Sequence, residues 1–306
     1  MKQTTPWQPL APDIPTILET SQFPLDDLAA GHIPAVILRN AYAPEKCSQI
    51  VTDLTQRGLL FDPSQPMPDS FQDQLIPEGY YREGKDSVPR SAWQPTIAEG
   101  RSRIDIGSSL GYRGSDKEAF LAHSAETRTL FTELFPQDSP LDTIYDALQQ
   151  ISRDKRVVTA YEPDGRQYGP AIIRAHYGGY AYAPHFDSVR LRENRQNYAV
   201  YHFQHQFAGV LVFQNTTLND QSAQSVLHHC LWEPHLDNHL SSGSFHEYAK
   251  EKDIDNIEIH LQPGDLYFFN TRSIHEVPGV AGADPRVVMA TFIGFSSDEE
   301  EIFVWS

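Results

Sequence analysis

Pro184-His185-Phe186-Asp187 sets an imidazole and a carboxylate two positions apart. On a β-strand, residues i and i+2 point to the same side, so both side chains could reach one metal ion. Alone the pair means little, because a hydrogen-bonded His and Asp beside a turn is the commoner cause of such a pattern. Ninety residues on, the turn Gln262-Pro263-Gly264-Asp265 leads into the apolar run Leu266–Phe269, and His275 follows in a segment ending at Pro278-Gly279. Arg286 stands eleven positions after His275 and opens the apolar run Val287–Phe292.

Two imidazoles and one carboxylate cover one face of an octahedral iron(II) and leave three positions open. The keto-acid end of 2-oxoglutarate can take two of these and O2 the third, while Arg286 offers a planar fork of donors to the distal carboxylate. Each residue has a plainer reading by itself: a satisfied core histidine for His275, a surface arginine for Arg286. In this order, with strand-forming sequence between them, they read jointly as a metal centre. Zinc is the rival ion, since two His and a carboxylate also build hydrolytic zinc sites. A zinc hydrolase has no need of a cation at the place of Arg286.

These residues need a frame that brings distant segments together. From about residue 157 onward the chain breaks into short β-branched and aromatic runs (171–177, 198–206, 210–213, 257–261, 266–269, 286–295) separated by turn residues, which fits a double-sheet jelly roll better than a parallel sheet. Before it, 33–39 reads as a strand and 44–57 as a helix closed by Gly58. Helical periodicity over 116–152, broken by Pro136 and Pro140, predicts two more helices. Pro6, Pro9, Pro12, Pro15 and Pro24 favour an extended arm over 1–25, and the Pro-rich, aperiodic stretch from Phe61 to Pro95 reads as loop or lid. The interval 216–256 is polar and helix-compatible, as expected of an insertion over one mouth of the barrel. The fold class is therefore α+β, a double-stranded β-helix (jelly roll) core with flanking N-terminal helices. It is read as a single domain over 1–306, with arm, lid and supporting helices in 1–156 and the core in 157–306.

Composition narrows the partners. With 24 Lys+Arg against 41 Asp+Glu, the formal charge of -17 repels a phosphate backbone, so nucleic acid is an unexpected partner. The run Asp298-Glu299-Glu300-Glu301 reads as a solvated face. Cys47 and Cys230 are the only cysteines, too few for a disulfide framework or a thiolate zinc site. No apolar N-terminal segment marks a signal peptide or membrane span, so a cytoplasmic protein acting on a small molecule is expected.

The motif His-x-Asp, distal His and His-x10-Arg resembles that of the iron(II)/2-oxoglutarate oxygenase superfamily. Three further stretches narrow this resemblance: Asp164–Arg174, Pro263–Asn270 and Gly294–Ser306 look like the freestanding indole-alkaloid halogenases of the welwitindolinone and ambiguine type. Weaker similarity runs through Ile33–Gly58 and Phe120–Phe135. Those halogenases have Gly where this chain has Asp187, and the missing carboxylate leaves room for chloride on the iron. With Asp187 in place, the resemblance implies hydroxylation rather than halogenation, although desaturation or cyclisation would use the same site. It also implies iron(II) as metal, 2-oxoglutarate and O2 as co-substrates, and a natural-product intermediate or modified amino acid as substrate. The superfamily often places a Ser or Thr two residues after the arginine, where this chain has Val288; Tyr177 is the expected substitute donor to the co-substrate carboxylate.

Other residues are weaker candidates. Arg174 and His176 lie on a strand expected to line the barrel, and Tyr182, Phe186, Asn270 and Trp232 are possible pocket walls. Arg101–Ile106 is a possible part of the substrate pocket. His228-His229 sits without spaced partners and reads as a polar pair. A metal-binding jelly roll without redox chemistry, such as a sensor or isomerase, would keep the histidines but have no use for Arg286.

Overall fold

A computed structural model describes residues 6–71, 75–76, 100–110 and 116–306. Its N-terminal part forms helices α1 (Ile14–Thr20) and α2 (Pro24–Ala30), strand β1 (Ala35–Leu38) and helix α3 (Pro44–Gln56). The expected extended arm is thus helical beyond Asp13. Pro15 falls in the first turn of α1 and Pro24 opens α2, positions where a missing N–H costs nothing and the fixed φ is already helical. Asp13 caps α1 by accepting the Thr16 N–H at 2.9 Å. Only the segment around Leu10 stays extended, paired to β1 through Leu10 N–H to Ala35 O.

Strands β2 (Leu75–Ile76) and β3 (Ser102–Ile106) precede the two helices expected over 116–152, α4 (Lys117–Leu134) and α5 (Pro140–Ser152). Asp116 and Ser139 cap them. Residues 72–74 and 77–95 of the expected lid lie outside the described residues. Strands β4 (Arg156–Thr159), β5 (Ile172–Tyr177), β6 (Tyr182–His185) and β7 (His205–Gln214) follow, then the small hairpin β8 (Thr217–Leu218) and β9 (Gln221–Ser222). Next come β10 (Ser225–Leu231), helices α6 (Asp237–Ser242) and α7 (Phe245–Glu251), and β11 (Asn256–Ile259). The chain closes with β12 (Leu266–Asn270), β13 (Ser273–Val277), β14 (Arg286–Phe295) and β15 (Glu301–Trp305).

Two sheets face each other in the expected jelly roll. The larger runs β1-β12-β7-β14-β5-β3-β2, with β15 joined to β14 and β4; the smaller runs β11-β10-β13-β6. Between them lie Ile172, Ala208, Val210, Val288, Ala290, Leu227 and Ile259. The outer face of the larger sheet carries Ile173, Ala175, Leu211, Val287 and Met289, covered by the apolar sides of the N-terminal helices through residues such as Ile17, Leu28, Ile50 and Leu148. Strands buried on both faces read as continuous apolar runs, which is why β14 was visible over its full length while its parity was not.

Three expectations need correction. The strand expected over 198–206 is a 3-10 turn at Ala199–His202, and β7 starts only at His205; buried Glu162 accepts the Ala199 N–H at 3.2 Å and draws the backbone into the turn. The interval 216–256 is not all insertion, because β10 pairs with both β11 and β13 as an inner strand of the smaller sheet. Residue 156 is no structural boundary either, since β1 and β3 are strands of the larger sheet. Among the described residues no helix is long and apolar enough to cross a membrane.

Candidate metal centre and its cavity

His185 ends β6 and lies directly opposite His275 on β13 in the strand register, their ring centroids 4.2 Å apart. Pro184 is tolerated beside it because β6 is the edge strand of the smaller sheet. Each imidazole is held the same way. Nδ1 of His185 sits 2.7 Å from Ala183 O, and Nδ1 of His275 sits 2.8 Å from Ser273 O. A carbonyl only accepts, so each Nδ1 carries the proton and each Nε2 presents a lone pair. Fixing the outer nitrogen on a backbone carbonyl is how metal-ligating histidines are oriented.

Asp187 reaches the same point by a different route from the one its spacing predicts. β6 stops at His185, and Asp187 follows in a loop. Its N–H donates to Thr271 O at 2.9 Å, and the buried Thr271 hydroxyl lies 2.8 Å from Asp187 O. This clamp to the β12–β13 turn, rather than strand pleating, aims the carboxylate. Oδ2 stands 3.8 Å from His185 Nε2 and 3.7 Å from His275 Nε2. The three ligand atoms all lie within 4.8 Å of one another. The other oxygen, Oδ1, accepts from Arg192 Nη1 at 3.3 Å, and the same nitrogen donates to Phe186 O at 2.6 Å.

Electrostatics agree with this arrangement. Burial, reinforced by the neighbouring His275 and Arg192, pushes His185 down to about 3, against the opposing pull of Asp187. Burial works to raise Asp187, but the neighbouring His275, His185 and Arg192 hold its carboxyl well below the usual range. With both Nδ1 atoms held on carbonyls, two imidazole Nε2 atoms and one carboxylate converge with their lone pairs inward, a donor set that fits a divalent iron-group ion.

Arg286 opens β14 and is 5% exposed. Burial lowers its guanidinium below the ordinary arginine value. It shares with the three ligands a cavity of about 80 Å³ that also takes in Arg174, His176, Tyr267 and Val288. Strand register explains this set, because Arg286 pairs with His176 and Val288 with Arg174, all on the inner face of the larger sheet. The His176 ring is driven well below its ordinary value by burial and by Arg286, Arg103 and Arg174; its Nε2 lies 2.8 Å from the Tyr182 hydroxyl.

Tyr177 is not brought to this cavity. It is the next residue after His176 and so faces the other side of the sheet, stacked on Phe61 with its hydroxyl 3.1 Å from Phe61 O. Hydroxyl groups that line the cavity with Arg286 include those of Tyr267 and Ser225, whose oxygens are 2.7 Å apart. Sequence reasoning missed both, as it missed Arg192. Tyr267 sits within the singled-out run Leu266–Phe269, and only its parity, opposite to that of Leu266 and Phe268, marks it as facing inward.

Outside the ligands opens a cleft of about 690 Å³ whose walls include Arg101, Tyr182, Phe186, Trp232 and Leu240; His185 and Tyr182 border both spaces. Phe186 and Trp232 stack at 4.3 Å. Asn270, a possible wall by sequence, instead donates its side-chain N–H to Leu28 O at 3.0 Å and anchors α2.

A jelly roll with two histidines, a carboxylate and a buried arginine around one cavity defines the class: this is a member of the iron(II)/2-oxoglutarate oxygenase superfamily. Residues 13–306 match the carrier-protein-independent halogenase WelO5 family, and the chain belongs to that family. No curated protein sequence matches it. Among solved structures it resembles an N-substituted L-amino acid dioxygenase from Burkholderia ambifaria in complex with alpha-KG, at 15% identity and TM-score 0.53 over 92% of this chain and 90% of that one. This likeness concerns the fold. The epimerase SnoN from nogalamycin biosynthesis is 12% identical over 91% of this chain and 86% of its own, with a TM-score of 0.43, too slight a likeness to argue from.

Proposed function

We propose that the protein is, over 1–306, one oxygenase domain that uses iron(II), 2-oxoglutarate and O2 to hydroxylate an unactivated C–H bond of a freestanding small molecule in the cytoplasm. His185, Asp187 and His275 hold the iron through Nε2, Oδ2 and Nε2, and Arg286 takes the distal carboxylate of 2-oxoglutarate, with the Tyr267–Ser225 hydroxyl pair beside it. When bound, iron with its keto-acid co-substrate supplies the oxidising power, and 2-oxoglutarate leaves as succinate and CO2. The protein's part is positional. Ile172, Val210, Val288 and Ala290 exclude water from the inner cavity, Arg192 and Thr271 hold Asp187, and the aromatic walls of the outer cleft orient the substrate. A cleft of about 690 Å³ is of the size that encloses a drug-sized molecule, consistent with a natural-product intermediate or a modified amino acid.

The observation that supports hydroxylation is the Asp187 carboxylate, 3.7 to 3.8 Å from both imidazole nitrogens. Family membership favours halogenation as the second reading, yet a halide needs the position that this oxygen occupies. The two separate cleanly. Candidate small molecules are screened for substrate-dependent succinate release in chloride buffer, and products of the active ones are weighed by mass spectrometry. Addition of one oxygen, abolished by Asp187→Ala, is expected; a chlorinated product from the unmutated enzyme contradicts the reading.

A further inference from the structure

Behind the strand that bears His275 lies a second set of converging ligands. His275 and Glu276 are consecutive on β13, so one faces the barrel interior and the other the opposite side. There Glu276 meets His228 of β10 and His246 of α7: His228 Nε2 is 3.0 Å from Oε1, and His246 Nε2 is 3.3 Å from Oε2. Sequence spacing gave His228 no partner; the pairing of β10 with β13 and the docking of α7 supply two. His229, by contrast, stacks on Trp7 at 4.5 Å.

From this geometry we infer a second transition-metal site, of the zinc(II) class, formed by His228, His246 and Glu276. The three residues each offer a ligand atom, and these lie within 4.8 Å of one another. A tetrahedral zinc with ligands at about 2.0–2.2 Å holds its ligand atoms about 3.3–3.6 Å apart; His246 Nε2 stands 3.3 Å from Oε2 and His228 Nε2 a little closer, 3.0 Å from Oε1. Charge points the same way. Glu276 is 9% exposed and His228 2% exposed, and among the described residues no Lys or Arg stands within ion-pair distance of this carboxylate. A buried carboxylate between two imidazoles is left uncompensated when both rings are neutral, whereas a divalent cation compensates it and takes the place of the proton that His228 Nε2 donates to Oε1. With three protein ligands a fourth position remains, and it faces solvent, because the His246 side chain is 58% exposed and both His246 and Glu276 border the outer cleft. The ion ties α7, part of the cleft's border, to the smaller sheet.

Metal-free full-length protein is titrated with zinc(II) alone against a chromophoric chelator that registers affinities tighter than about micromolar, and cobalt(II) is used as a visible-absorbing substitute. Two equivalents are expected for the unmutated protein and one for His246→Ala. His185→Ala/Asp187→Ala also retains one equivalent, with the cobalt absorption of a nitrogen- and oxygen-ligated ion. His246 is largely exposed, so His246→Ala should fold with an unchanged circular dichroism spectrum and keep its first site. One equivalent in the unmutated protein overturns the inference, as do two equivalents in His246→Ala.

Discussion

Arg192 does not bind a ligand in the proposed chemistry, yet it decides which oxygen of Asp187 faces the ion. Its donation to Oδ1 at 3.3 Å leaves Oδ2 for the two imidazoles. Removing such an outer partner commonly lowers metal affinity about 10- to 100-fold, and Arg192→Ala is expected to do so in an iron(II) titration; an unchanged affinity would show that the loop clamp on Thr271 suffices. Arg286→Ala is expected to weaken 2-oxoglutarate binding on the order of 10- to 100-fold, the loss of a charge-assisted hydrogen-bond pair. Arg286→Lys restores little because a point charge lacks the planar fork, and Tyr177→Phe should leave that affinity unaltered, since its hydroxyl is spent on Phe61. The convergence of these four residues on one cavity was legible because their types and spacings are chemically restrictive. Tyr177 was misassigned by a single step of strand parity, and Tyr267, Ser225 and Arg192 were invisible because a hydroxyl or a guanidinium acquires its role only from the strand or loop that the fold sets beside it.

At the scale of elements, periodicity placed α3, α4, α5, β5, β12 and β14 to within a residue or two, whereas the N-terminal helices were hidden by prolines that in fact start them. The strand β10 was hidden by its polar half, which faces α7 rather than the barrel interior. These helices are structural parts of the frame. Leu28 of α2 is fully buried in the cluster on the outer face of the larger sheet, and its carbonyl accepts from Asn270 at the end of β12, immediately before the turn that clamps Asp187. Leu28→Ala is expected to cost about 2–5 kcal/mol in denaturant unfolding; a loss below about 0.5 kcal/mol would return this region to the loose arm that its prolines imply.

For the whole molecule, three buried or half-buried histidines set a pH dependence. Burial, aided by adjacent cations or imidazole, lowers His176, His185 and His205 below the ordinary 6.5. Below that value the unfolded chain binds protons that the folded metal-free protein refuses, so the stability they contribute is present above about pH 6.5 and is lost as pH falls toward the folded value of about 3 for His185. The Tm of metal-free protein should therefore drop between about pH 7 and pH 5 in about 0.15 M salt, where screening limits the opposite effect of relieving the -17 net charge; a rising Tm would contradict it. The jelly roll brings His185, Asp187, His275 and Arg286, spread over a hundred residues of chain, around one cavity, and the proposed chemistry depends on their joint use. It is tested most directly by anaerobic titration of iron(II) and 2-oxoglutarate into the metal-free protein. A weak visible charge-transfer band saturating at one equivalent of each, absent in Asp187→Ala/His275→Ala and shifted to much higher co-substrate concentration in Arg286→Ala, is the result predicted. No band in the unmutated protein, or co-substrate binding indifferent to Arg286→Ala, would contradict it.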